Sequence, residues 1–168
     1  LGLSDYNQLN KEARKVPAGS NGLCSYLGPH LFNAGPPYWE SDQLGDTPVK
    51  QTILGLENPT RGEQVRSILE SNSYAVKANL HQISEITGGE FSSLKFCGGN
   101  TKSQLWMQIQ ADVLDIPIVV PQVNDGTAIG TAILASVGSG YYSSIKDAVS
   151  DMVRLMDPVL PNPVQVIE

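Results

Sequence analysis

Residues 93–109 read SLKFCGGNTKSQLWMQI, and the fold turns on how this stretch is parsed. Leu94, Phe96 and Cys97 form a short apolar run that ends at a glycine pair, as a buried strand does. Gly98 and Gly99 carry no Cβ, so the chain there can turn sharply and lie close to another group. Asn100, Thr101 and Ser103 are residue types that cap helices, and the spacing predicts a helix over about 101–114 with Leu105, Trp106, Ile109 and Val113 as its apolar stripe. A strand that passes through glycines into a helix start exposes free N–H groups, which suit polar or anionic ligands. Two familiar phosphate motifs do not fit. A P-loop needs glycine directly before its Lys-Ser, but Thr101 precedes Lys102, and Phe96 stands where the first glycine belongs; a GxGxxG turn is also missing. On the motif alone, the stretch reads first as a strand–helix turn with two packing glycines and second as a ligand site.

Working outward, strand and helix patterns alternate. Leu9, Ala13 and Val16 recur at helical spacing after possible caps Ser4 and Asp5, and Pro17, Gly19 and Gly22 end that helix. LCSYL at 23–27 reads as a strand. Residues 28–50, with prolines at 29, 36, 37 and 48, read as a long irregular loop of the kind that often carries function. Val65, Ile68, Leu69, Val76, Leu80 and Ile83 predict one long helix over 62–86, with Glu63 and Arg66 pairing on its wet face. IPIVVP at 116–121 is a β-branched strand between prolines. A small-residue helix over 127–137 follows, its Gly130 read as a packing contact. Ser143 or Ser144 caps a last helix through Met152, and PVLPNPVQVIE is an extended tail. The alternation indicates an α/β domain.

Composition narrows the class. Hydrophobic content of 40% and charged content of 17% suit a globular chain with a real core. A net charge of −6 with no basic patch argues against a nucleic-acid binder or an anionic-membrane binder, and no apolar run is long enough to span a bilayer. Cys24 and Cys97 make neither a disulfide framework nor a zinc spacing, so a reducing, cytoplasmic setting is the natural expectation, with Cys97 a small buried hydrophobe. The chain begins at Leu1 rather than Met, the expected mark of a piece of a longer protein.

The ordered motifs extend beyond any single one. LNKEARKVPAGSNGL, PYW at 37–39, LGL at 54–56 and RSILE at 66–70 are followed by GG-x-x-KS-x-LW-x-Q-x-x-AD from Gly98 and T-A-x-G-x-A-I-L-A from Thr127. In this order and over nearly all 168 residues, the chain resembles the C-terminal domain of the FGGY family of carbohydrate kinases, in particular its xylulokinase-like and autoinducer-kinase-like members. The resemblance implies a ribonuclease H-like, actin-type ATPase fold, with residues 1–168 as one C-terminal nucleotide-binding domain. It also implies ATP with magnesium, a sugar or polyol acceptor, an N-terminal domain outside this chain that carries the base and most sugar contacts, and a possible homodimer.

The resemblance further implies which residues meet the nucleotide. The family's glycine pair falls on Gly98 and Gly99, its next position on Asn100, and its adenine-facing polar position on Ser103, with Gln104 a neighbour. Lys102 reads either as a point charge near phosphate or as a solvated lysine at a helix start. Trp106 reads as core rather than as an adenine stacker, and Gln108 as a tie from helix to loop. No catalytic or metal-binding residue is expected in the chain. Asp112, Asp115 and Asp125 read as solvated or capping carboxylates, His81 as a surface residue, and His30 as a loop residue that can face a cleft. NAGPPYW lacks the charged pair usual in the family, which leaves a non-catalytic actin-fold nucleotide-binding or sensor module as the alternative.

Overall fold

The computed structural model describes residues 5–26 and 52–163. The proline-rich loop with NAGPPYW and His30 lies outside the described residues, as do Ser4 and the end of the tail.

Helix α1, Tyr6–Ala13, starts where the Asp5 side chain accepts the Asn7 N–H at 2.8 Å and buries Leu9 and Ala13. It runs into a tight turn and β1, Cys24–Tyr26, which pairs antiparallel with β2, Thr52–Leu54. The long helix α2, Arg61–Thr87, begins with a capping box: Thr60 and Glu63 satisfy one another's backbone N–H groups. Strand β3, Leu94–Lys95, pairs in parallel with β4, Ile118–Val119, and the connection between them is α3, Gln104–Leu114. Helices α4, Gly126–Gly138, and α5, Ile145–Met152, follow.

Helix α3 is the centre of the packing. One face sets Met107, Ala111 and Leu114 against Ile118 and Val120, with Val76 and Leu80 of α2 beside them. The other sets Leu105, Ile109 and Val113 against Ala13 of α1, flanked by Val65, Leu69 and Tyr74. A helix buried on two sides fixes its own N-terminus relative to α1 and α2, and that end carries the glycine turn.

The tail is part of the sheet. Ile118 and Val159 exchange backbone hydrogen bonds at 2.9 and 2.8 Å, and the Met156 N–H donates to Val120 O at 2.9 Å, so residues 155–159 run antiparallel along β4. The Asp112 carboxylate then accepts the Asn162 N–H at 2.7 Å, and Gln108 donates to Leu160 O at 2.9 Å. Gln108 is therefore the tie its pattern suggested.

Four residues differ from what the sequence pattern indicates. Cys97 is exposed, because β3 lies at the rim of a small sheet and spans only Leu94 and the exposed Lys95. Arg66 is buried and donates to Glu70 rather than pairing with Glu63, which is taken up by Thr60 and Asn21. Asp112 is neither solvated nor a cap; it is 3% exposed and holds the tail. Gly130 meets no packed neighbour: a Cβ built there has nothing within 4 Å, and α4 buries only Ile133. Asp125 and Asp115 fit the capping reading, Asp125 accepting the Ala128 N–H at the start of α4 and Asp115 ending α3. His81 is exposed and faces Glu85.

Candidate nucleotide site

Phe96 is the last residue tied to β4, its N–H reaching Val119 O at 2.9 Å. The chain then leaves the sheet. Gly98 takes φ +99°, a conformation that residues with a Cβ rarely adopt, and its N–H is anchored on Asn124 O at 2.9 Å. Gly99–Lys102 winds as a single 3₁₀ turn before α3 begins, so the helix starts at Gln104, three residues later than the capping pattern indicated. The Thr101 hydroxyl donates back to Gly98 O at 2.7 Å and locks the turn.

The turn stands between two open clefts. The first, of about 760 Å³, is lined by Cys97, Gly98, Gly99 and Lys102 on one side and Val123–Thr127 on the other. The second, of about 600 Å³, lies between α1, α2 and the start of α3; its walls are Leu9, Val65, Leu69 and Trp106, and its polar edge is Asn7, Asn10, Asn100 and Ser103. Gly99 and Lys102 line both. A Cβ on Gly99 would meet nothing within 4 Å, so its glycine is required by no protein contact. The wall at 98–99 is open, as a ligand surface must be.

The side chains divide by role. Ser103 caps α3 by accepting the Trp106 N–H at 3.2 Å, and its hydroxyl proton goes to Asn10 Oδ1 at 2.9 Å. Trp106 belongs to the core around Met107 and Ile118, with one part lining the second cleft and its indole Nε1 buried without a partner among the described residues. Gln104 lines a third cleft, of about 700 Å³, with Lys11, Arg14 and Lys15, and this cleft shares Asn10, Lys102 and Ser103 with the second. The turn thus gathers Gly99, Asn100, Lys102 and Ser103 around the second cleft, while Gly98 lines only the first and Gln104 only the third. Asn10 was missed by the sequence reading. It lies 93 residues from Ser103, on a helix whose pattern signals only burial.

The profile of the C-terminal domain of the FGGY family of carbohydrate kinases matches residues 4–139. The chain belongs to that family. An autoinducer-2 kinase of Enterobacter sp. (strain 638) is 32% identical to this FGGY domain over 169 residues, which is 97% of the chain and 30% of that kinase. Among solved structures, a xylulose kinase from Rhodospirillum rubrum superposes with a TM-score of 0.70 at 28% identity, over 98% of this chain and 31% of that one. A Plasmodium falciparum glycerol kinase with ADP shares the fold at a TM-score of 0.68 and 23% identity, over 92% of this chain and 29% of that one. The FGGY domain described here therefore has the ribonuclease H-like, actin-type ATPase fold of those C-terminal domains, and it spans less than a third of the length of these relatives. Only small sheets stand among its described residues, two pairs of two strands each, so helices dominate its appearance.

Proposed function

We propose that this chain is the nucleotide-binding C-terminal domain of an ATP-dependent sugar or polyol kinase. Gly98, Gly99 and Asn100 form the floor on which adenosine and its first phosphate rest. Lys102 supplies positive charge beside it. A preceding domain of the same protein supplies the base that takes the hydroxyl proton, and closure of the two domains completes the site. The observation that carries this reading is the unobstructed Gly99, set between two clefts at the start of a helix buried on two sides.

Phosphoryl transfer is chiefly positioning and charge stabilisation, with magnesium bridging the phosphates. Among the described residues, no three His, Cys, Asp or Glu side chains converge to hold a metal. What this chain contributes is binding and orientation. Among the described residues no helix is long and apolar enough to cross a membrane, and a cytoplasmic setting suits a consumer of ATP.

The test compares two proteins on xylulose, glycerol and phosphate-free autoinducer-2 as acceptors. The complete protein is expected to transfer phosphate from ATP to at least one of them, and residues 1–168 alone to none. Turnover by the chain alone, or no nucleotide binding by the complete protein, would overturn the proposal.

A further inference from the structure

We infer that Asn10 is the residue that reads the purine base, and that Ser103 acts through it as a positioning residue. The inference rests on the nucleotide reading just given and names the specificity element of that site.

A serine hydroxyl has one proton to donate. That of Ser103 is committed to Asn10 Oδ1 at 2.9 Å, and one of its lone pairs is taken by the Trp106 N–H at 3.2 Å. Ser103 therefore has no donor left for a base. Asn10 keeps both protons of its Nδ2 and one lone pair of its Oδ1. It is half-buried and lines the cleft whose walls are Leu9, Val65, Leu69 and Trp106. Apolar walls suit the faces of a flat aromatic ring, and a side-chain amide suits its edge.

The edge matters. An amide presents a donor and an acceptor side by side, which matches the N6 amino group and N7 of adenine. Guanine offers two acceptors, O6 and N7, along the same edge. In this structure the Asn10 oxygen faces the Ser103 hydroxyl, which donates to it, and the amide nitrogen is left for the cleft. The position of the amide is thus set by a contact between α1 and the start of α3, and in this orientation the site favours adenine.

The experiment uses the complete protein and measures the affinities of ATP, GTP and 7-deaza-ATP, which lacks the N7 acceptor, by calorimetry. Asn10→Asp keeps the acceptor for Ser103 and the side-chain shape but removes the donors. It is expected to weaken ATP binding roughly five-fold to a hundred-fold, the range of one bidentate amide–base pair, and to narrow the preference for ATP over GTP. Unaltered protein should bind 7-deaza-ATP more weakly than ATP, and Asn10→Asp should bind the two alike. This ligand comparison needs no variant to fold. Gly99→Val is the separate check on the nucleotide reading. If it abolishes ATP binding while Asn10→Asp changes neither affinity nor base preference, or while unaltered protein binds 7-deaza-ATP as well as ATP, Asn10 is not the reader and the site stands. If Gly99→Val also leaves ATP affinity intact, the nucleotide does not lie on this turn and both readings fall.

Discussion

Arg66 Nε donates to Glu70 Oε1 at 2.7 Å, one helical turn apart on α2, with the two side chains only 6% and 3% exposed. The pair is not isolated. Glu70 also accepts the Gly19 N–H at 3.1 Å and the Ser20 hydroxyl at 2.7 Å, and Arg66 donates to Val16 O at 2.9 Å. Two buried charges are thus spent on fixing the turn that carries the chain from α1 to β1. Removing one partner of such a pair leaves an uncompensated charge in low dielectric. Glu70→Ala is expected to cost about 3–5 kcal/mol of stability, read from urea unfolding. A loss below about 1 kcal/mol would mean that water reaches Arg66 and the pair is not closed.

The α1–α2 contact offers a second prediction. At Gly62, a Cβ would stand 2.8 Å from the backbone oxygen of Glu12 and 3.0 Å from its carbonyl carbon. Backbone cannot swing aside as a side chain does, so Gly62→Ala must push α1 away from α2. The expected cost is about 1–3 kcal/mol, and because α1 carries one edge of the second cleft, nucleotide affinity should fall with it. An unchanged melting temperature would show that the helices are less closely apposed.

Acid should loosen the same contact. Arg61 reaches Glu12 with two nitrogens, Nε donating to Oε2 at 2.6 Å and Nη2 to Oε1. These hydrogen bonds, helped by one from Gln8, hold the Glu12 carboxyl down at about 2 against an ordinary value of 4.5. A depressed folded-state value means that the stabilisation is complete above the unfolded value and is lost as pH falls from about 4.5 towards 2. The Glu12→Gln protein should therefore be less stable than unaltered protein at pH 7 and should converge with it in this acid window. Parallel stability curves from pH 7 to 2 would exclude the linkage.

Gly99→Val should separate binding from folding. Because nothing packs on this Cα, the melting temperature should stay within a few degrees, while ATP affinity should fall by about tenfold or more as the new side chain occupies the cleft. Loss of fold would place a protein neighbour where the structure has open space.

Much of the fold was legible because its signals are local. The apolar stripe marks α2, and Asp125 and Ser144 stand at the starts of two further helices within a residue or so, while α3 starts three residues later than its pattern indicates. The family itself was legible from the order of its motifs. What local pattern could not supply was partnership across the chain. Glu63 and Arg66 are well spaced to pair with one another, yet the first is held by Asn21 and the second faces inward, and both outcomes depend on the turn at 16–21. Cys97 looked buried because its apolar run suggested a central strand; the strand is two residues long and at the rim. Ser103 was assigned to the base by position, but its proton is taken by a residue on another helix. The open turn at Gly98 and Gly99 could be read from the glycines. The contact of Asn10 with Ser103 could not, since it forms only through tertiary packing.

The tail laid along β4 has a practical consequence. Ile118 and Val120 offer their backbone groups on that side, and residues 155–159 occupy them. Any shortened version of the protein that stops before Leu155 would strip this cover and leave a bare, β-branched strand edge. Such an edge pairs readily with the same edge on another molecule, so clipped material should aggregate even where its helices remain intact.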